Sequence, residues 1–257
     1  MTGELLNLEM WKKICYTTVV YFFVKLELYG RNMIKKIDIL GMQLDNYTVR
    51  EAMMLVENYL SGDRLNTIEY VSAQMLLSTE EDDVLKDVIT SLDLAVISDR
   101  EIIQVAGEAT MQRIRETEEN DFFLEFFKRV ERNRKSIYIL GETQEAIAKM
   151  KEKLAQEFPK IELCGEYAVK ECVGDLEAVI NDMNVKTPDV IVSVLPAPKQ
   201  EHFLAEHKDK MNANVWYGIG DIGELEKKRG IRNIFRSFVR REKLKSGIAK
   251  YQIKNEA

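Results

Sequence analysis

The segment Asp189–Leu195, DVIVSVL, is an almost unbroken apolar run. A strand tolerates such a run when both faces of its sheet are covered, the usual situation in parallel sheets with helices on either side. Its surroundings read the same way. Ser136–Leu140 is a predicted strand ending at Gly141. Thr143 opens a helix that runs to Phe158 and stops at Pro159. Ile161–Cys164 is a short strand, Gly174–Asn184 a helix, Lys199–Met211 a helix and Val215–Ile219 a strand. From about residue 135 the pattern is therefore β-α-β-α-β-α-β, which predicts a parallel, Rossmann-like sheet with helices on both faces. Ligands of such sheets bind beyond the carboxyl ends of the strands. The turns at Gly141, Gly165, Leu195–Gln200 and Gly218–Gly220 are expected to surround one crevice.

The preceding part adds further units. Ile34–Leu40 reads as a strand. Thr48 looks like an N-cap before a helix carrying Ala52, Leu55, Val56 and Tyr59. Thr67–Val71 is a second strand, followed by helical Gln74–Ser78 and Asp82–Leu92. Leu94–Ile97 is a short buried strand that ends at Ser98-Asp99. Asn120–Asn133 is helical, with Phe122, Phe123, Phe126, Phe127 and Val130 on one face. The expected organisation is an extension at 1–32, an α/β domain at 33–227 whose second unit starts near 135, and a tail at 228–257.

Residues 1–32 hold the apolar run Ile14–Val24, too short for a membrane span of about 20 residues. Lys12 and Lys13 precede it, but Lys25, Glu27 and Arg31 follow in place of a small-residue cleavage site. Two readings stay open, an upstream extension from a misplaced start codon and a short interfacial anchor. Cys15, Cys164 and Cys172 are odd in number and lack CxxC spacing, which fits a reducing compartment. His202 and His207 stand in one predicted helix with no cysteine nearby, so no metal site is expected. Neither GxGxxG nor GxxxxGK[ST] occurs, and Asp82-Asp83 lies within a predicted helix.

Three places carry chemical promise. The first is Leu195-Pro196-Ala197-Pro198-Lys199-Gln200-Glu201, which joins a buried strand directly to a helix. Its prolines stiffen the turn, and Pro198 can open the helix because its missing N–H is not needed there. The helix start suits a phosphate or sugar hydroxyl, and Gln200 can donate and accept hydrogen bonds. A merely rigid βα turn reads equally well. The second is Asp99, a carboxylate at a strand's carboxyl end, read either as a helix N-cap or as a general base, with Arg100 beside it as a potential ion-pair partner. The third is the tail. From Lys228 to Ala257 it has ten basic residues against two acids, a local net of +8 in a chain of net −6. Ile231, Ile234, Phe235, Phe238 and Val239 recur at helical spacing. The tail reads as a basic amphipathic helix attracted to an anionic membrane surface, or as a packed terminal helix with a solvated basic face. Nucleic acid is disfavoured, because Phe235 and Phe238 fall on the apolar stripe and not among the charges.

The strand followed by Ala197-Pro198-Lys199-Gln200-Glu201 and a helix resembles the signature loop of the WecG/TagA/CpsF family (glycosyltransferase family 26). Further resemblances follow in order over about residues 33–245. They are Asp38–Gly41 with Asp45-Asn46, Ala73–Leu76, Leu92–Leu94 with Ser98-Asp99, Tyr138–Gly141, Gly165 with Tyr167, Gly218-Ile219-Gly220, and Gly230-Ile231 with Phe235-Arg236. The chain departs from the family pattern at four places. It has Ser72 for Asn, Ser98-Asp99-Arg100 for Pro-Asp-Gly, Arg115–Asp121 for a Gly-x-Asp element, and a shortened Asp221–Arg229.

The resemblance implies metal-independent, inverting transfer of an N-acetylhexosamine, N-acetylmannosamine-like, from a UDP-sugar to a lipid-linked acceptor in surface-polymer synthesis. Asp99 is then the catalytic base. Ser72, Gly141, Pro198, Lys199, Gln200, Glu201, Gly218 and Gly220 contact substrate, and Arg236 meets the acceptor pyrophosphate. No cofactor beyond the donor sugar nucleotide is implied. The implied location is cytoplasmic, on the inner face of the membrane, and self-association is left open. The altered motifs also admit a non-catalytic relative that binds a sugar nucleotide or a partner glycosyltransferase.

Overall fold

The computed structural model describes residues 36–172, 176–225 and 231–256, with side chains except at 224–225, 231–236 and 255–256. The described chain opens with an antiparallel hairpin, β1 (Lys36–Ile39) and β2 (Met42–Asp45), where a single strand over Ile34–Leu40 was expected. Both turn residues, Leu40 and Gly41, have positive φ, at 56° and 78°. A two-residue hairpin turn demands that backbone, and leucine does not advertise it. Asp38 helps by accepting a hydrogen bond from the Gly41 N–H at 3.1 Å.

Helix α1 (Val49–Ser61) begins at Thr48, as expected. Thr48 Oγ1 accepts from Glu51 N–H, and Glu51 Oε2 accepts from Thr48 N–H, so two otherwise orphaned donors are satisfied reciprocally. Then come β3 (Asn66–Val71), α2 (Ala73–Ser78), α3 (Asp83–Ser91), β4 (Leu94–Ile97), α4 (Arg100–Val105), α5 (Met111–Glu118) and α6 (Asp121–Arg132). The second half supplies β5 (Ser136–Gly141), α7 (Gln144–Glu157), β6 (Glu162–Ala168), α8 (Glu177–Lys186), β7 (Val190–Val194), α9 (Lys199–His207), β8 (Val215–Gly218), α10 (Ile222–Leu225) and α11 (Ile231–Glu256).

Six strands form one parallel sheet in the order β4-β3-β8-β7-β5-β6. Val190, Val192 and Val194 face one apolar layer with α1, α6 and α7, whereas Ile191 and Leu195 face the other with α3, α8 and α9. The apolar run of β7 is thus used on both sides of the sheet. Phe122, Phe123, Phe126, Phe127 and Val130 of α6 are all buried. Each such side chain contributes about 1.5–3 kcal/mol by leaving water. The chain passes from β5 outward to β6 and back to β7 on the other side of β5, so the sheet reverses between β5 and β7. That reversal opens a crevice at the carboxyl ends of the two strands.

The sheet corrects one expectation. Gly165 is not in a carboxyl-edge turn. It lies within β6, paired with Tyr138, and a Cβ there would meet the Tyr138 ring at 2.6 Å. A glycine is needed because that ring lies against the strand. The edge strand β4 is closed off by the hairpin, with Asp45 Oδ2 accepting from Ala95 N–H at 2.9 Å. A paired edge does not offer itself to another chain.

Helix α11 packs back on the protein. Leu244 is fully buried, Gly247 lies against Leu77, and Tyr251 abuts the hairpin turn so closely that a Cβ on Gly41 would fall 2.0 Å from its hydroxyl. Phe238 remains 54% exposed. The side chains of the stripe members Ile231, Ile234 and Phe235, and of Arg236, lie outside the described ones. No described helix is long and apolar enough to cross a membrane.

Candidate functional site

Ser72, Asp99, Gly141, the Pro198–Glu201 turn and Gly218–Gly220 all stand at the carboxyl edge of the sheet, at or just past the ends of β3, β4, β5, β7 and β8 respectively. Asp99 occupies the N-cap position of α4 but makes no side-chain cap bond there. Its Oδ2 instead accepts from Ala73 N–H at 2.8 Å, the first amide of α2. The carboxylate therefore ties the end of β4 to the end of β3, assisted by Ser98 N–H on the Val71 carbonyl at 3.0 Å. Ser72 uses its hydroxyl locally, capping α2 by accepting from Met75 N–H. Asp99 is largely but not fully covered, with 16% of its side chain exposed.

Arg100 turns to Glu118 and Glu101 and donates to Ser237 Oγ at 3.2 Å. The arginine that approaches Asp99 comes from the tail. Arg240 Nη2 lies 3.8 Å from Asp99 Oδ1 and 3.7 Å from Glu101 Oε1. Glu101 is buried and also accepts from Ser237 Oγ. Arg100, Arg240, Glu101 and Ser237 thus join α4 to α11 beside the candidate base. Arg236 lies one helical turn before Arg240 in the same helix.

The proline turn delivers its side chains in two directions. Lys199 is exposed and pairs with Glu142, the residue after Gly141, and so bridges the ends of β7 and β5. That contact, followed by Lys170, holds the Glu142 carboxyl below its ordinary range. Gln200 and Glu201 point inward and are 1% and 0% exposed. Gln200 Oε1 accepts from Gly220 N–H at 3.2 Å, and its Nε2 donates to Glu201 Oε1 at 3.3 Å. Gly218 is a glycine because a Cβ would stand 2.5 Å from Gln200 Nε2 and 2.6 Å from Glu69 Cγ. Gly141 has a similar reason, with Ile147 at 2.6 Å.

Glu69 is a functional candidate that sequence reading missed. It sits in β3, is fully buried, and accepts from Trp216 Nε1–H at 2.7 Å. Burial, then the neighbouring Glu201, pushes its carboxyl well above the ordinary range. The available signal was one carboxylate in the otherwise buried pattern of NTIEYV.

A small cleft opens on the α1–α6 face, lined among others by Asp45, Tyr47, Tyr70, Ile97, Arg113, Glu116 and Asn120. Its lining does not include Gln200, Gly141 or Gly218. Arg113 is held inside the protein by Asn46 Oδ1 at 3.2 Å and Glu116 Oε2 at 3.1 Å. None of this was expected, because α5 carries few apolar residues to mark it as a helix.

Residues 37–225 match the sequence model described as the Glycosyl transferase WecG/TagA/CpsF family. The chain is similar to the N-acetylglucosaminyldiphosphoundecaprenol N-acetyl-β-D-mannosaminyltransferase of Staphylococcus aureus strain NCTC 8325 / PS 47, with 21% identity over 198 residues, 76% of each chain. The protein of the same description from strain COL is equally similar, at 21% over 198 residues and 76% of each chain.

Proposed function

The chain belongs to the WecG/TagA/CpsF family of glycosyl transferases, and on that premise we propose that it transfers an N-acetylhexosamine, N-acetylmannosamine-like, from a UDP-sugar to GlcNAc on a lipid pyrophosphate. The similar Staphylococcus proteins carry that acceptor and that sugar in their description. The observation that carries the reading is Asp99, a partly covered carboxylate at the carboxyl end of β4, anchored by Ala73 N–H and charge-compensated by Arg240.

In the proposed step Asp99 accepts the proton of an acceptor hydroxyl. The hydroxyl oxygen forms a bond to the anomeric carbon while the bond from that carbon to the UDP oxygen breaks on the opposite face. UDP leaves with the electron pair, and the configuration inverts. A positioned base of this kind is worth about 10²–10⁴-fold in rate. The tail arginines suit the acceptor pyrophosphate, because a planar guanidinium grips phosphate oxygens bidentately. Metal ions are not needed in this scheme. The exposed lysines of α11 favour peripheral attachment to the inner, anionic leaflet, where the lipid-linked acceptor resides.

The test is UDP release from UDP-N-acetylhexosamines in the presence of a lipid-pyrophosphate-GlcNAc analogue. Wild type should turn over and Asp99→Asn should be slower by about 100-fold or more. An Asp99→Asn variant with full activity would remove this residue from the mechanism.

A second reading is a non-catalytic relative that binds a sugar nucleotide or a partner glycosyltransferase. The observation favouring it is that Gln200 and Glu201 are internal while Arg240 already engages Asp99. Saturable UDP-sugar binding with no UDP release for any acceptor would select it.

A further inference from the structure

Glu69 and Glu201 bring two carboxyl groups together inside the protein, and neither has a role in the transfer step. Both residues are 0% exposed. They meet around Gly218, where a Cβ would stand 2.6 Å from Glu69 Cγ and 2.5 Å from Gln200 Nε2, the group that donates to Glu201 Oε1 at 3.3 Å. The Oε2 atom of each is buried and meets no donor. Two ionised carboxylates cannot share a dry site, because their repulsion is strong at low dielectric and each loses its hydration. One proton between them satisfies both orphaned oxygens at once.

We propose that Glu69 is a positioning residue, held as a neutral carboxylic acid that donates its proton to the Glu201 carboxylate and thereby fixes Gln200 against Gly218 and Gly220.

The donors decide which carboxyl is neutral. Glu201 Oε1 receives Gln200 Nε2–H at 3.3 Å, and Glu201 also has support from its own backbone amide. Glu69 receives Trp216 Nε1–H on Oε1, the bond expected for the carbonyl oxygen of an acid, which leaves Oε2 to carry the proton. The groups facing the pair are Trp216 and Gly218 from β8, Gln200 and His202 from α9, and Ala95, the register partner of Glu69 on β4. His202 is exposed and is itself bound to Asp82 Oδ2 at 2.8 Å, at the start of α3.

The consequence reaches the carboxyl edge in two bonds. Glu201 anchors Gln200 Nε2, and Gln200 Oε1 holds Gly220 N–H. Ionising Glu69 would drive Glu201 away, strip Gln200 of its acceptor and release the turn after β8. A neutral acid at this point makes the turn rigid. This inference rests on the proposed function only in treating that turn as part of a ligand site; the proton is tested without turnover.

The experiment uses the full chain with Trp11→Phe, so that Trp216 is the sole tryptophan. Wild type, Glu69→Gln and Glu69→Ala are compared. Wild type should show an infrared C=O band of a protonated carboxyl at neutral pH, and Glu69→Gln should lose it. A raised folded value means that the folded protein keeps a proton the unfolded chain gives up, so stability falls as pH rises above the ordinary carboxylate range. Glu69→Gln has no such proton, and its Tm advantage over wild type should widen from about pH 5 to about pH 8. Trp216 emission should shift with rising pH in wild type and stay flat in Glu69→Gln. Hydrogen-exchange protection of the Gly220 amide should be kept in Glu69→Gln and drop by about tenfold or more in Glu69→Ala. A band that survives Glu69→Gln, or a Tm gap that does not change with pH, overturns the shared proton. Unchanged Gly220 protection in Glu69→Ala overturns the positioning role. Failure to release UDP bears on the proposed reaction alone.

Discussion

Arg240 of the C-terminal helix lies 3.8 Å from the carboxylate of Asp99, which follows a strand on the opposite side of the sequence. The same guanidinium lies 3.7 Å from Glu101, only 2% of whose side chain is exposed. The tail is therefore tied by charge to the place where the reaction is proposed. Ser237 and Arg100 complete the tie.

Arg240→Ala should weaken both the fold and the reaction. Glu101 would keep Arg100 but lose half of its compensation, at a cost of about 1–3 kcal/mol. Arg240→Lys restores charge without the fork and should recover stability better than turnover. Thermal melting and UDP release on the three proteins check this. Equal turnover in Arg240→Ala and wild type would disconnect the tail from the site.

Gly41→Ala should unseat the end of α11. The residue has φ of +78°, and its new Cβ would fall 2.0 Å from the Tyr251 hydroxyl and 2.7 Å from Cζ. The strained backbone alone costs about 1 kcal/mol, and Tyr251 must also move. Limited proteolysis should cut the tail faster in Gly41→Ala, and Tyr251→Ala should relieve the clash but not the backbone strain. Unaltered cleavage would mean that the helix end is not held by this contact.

The exposed lysines test membrane attachment without deleting a packed helix. Lys243, Lys245, Lys250 and Lys254 are all exposed, whereas Leu244 between them is buried. Replacing the four with glutamate should preserve the fold and abolish co-sedimentation with anionic liposomes. Wild-type binding should fall with salt, since the Debye length drops from ~10 Å at 0.1 M to ~3 Å at 1 M. No difference between anionic and neutral liposomes would end the membrane role.

Asp189 supplies a pH test at the opposite edge of the sheet. It accepts from Lys135 Nζ at 2.9 Å and from Ser136 N–H at 2.9 Å, which ties the start of β7 to the start of β5. Partial burial pushes its carboxyl up, but Lys135 and Ser136 outweigh that and bring it below its ordinary value of 3.8. The folded state thus prefers the anion, so its stabilisation is present above about pH 4 and is lost as the pH falls through the lowered value. Asp189→Asn should be less stable than wild type at neutral pH, with a gap that closes in acid. Denaturant titrations across that range check it, and a gap of constant size would refute the assignment.

Much of the fold was legible because it depends on local period and caps. Thr48 and Thr143 each accept from a first-turn amide, as their positions before apolar runs implied. The strand Asp189–Leu195 was legible because both its faces are apolar. The hairpin was missed because Leu40 gives no turn signal, and β6 was read too short because an edge strand has a mixed pattern, exposed at Glu162 and buried only at Ala168.

The sequence by itself determined most of the strands and helices, the β1–β2 hairpin and α5 excepted, the parallel sheet, and the carboxyl edge at which Asp99, Gly141 and Gln200 stand. Those follow from side-chain periodicity, which each segment carries alone. Only the tertiary structure decided where the charges go. Gln200 and Glu201 turn inward onto Glu69, Arg100 turns to Glu118, and Arg240 comes to Asp99. Burial and distance set those pairings, and both arise only when segments remote in the chain are packed against each other.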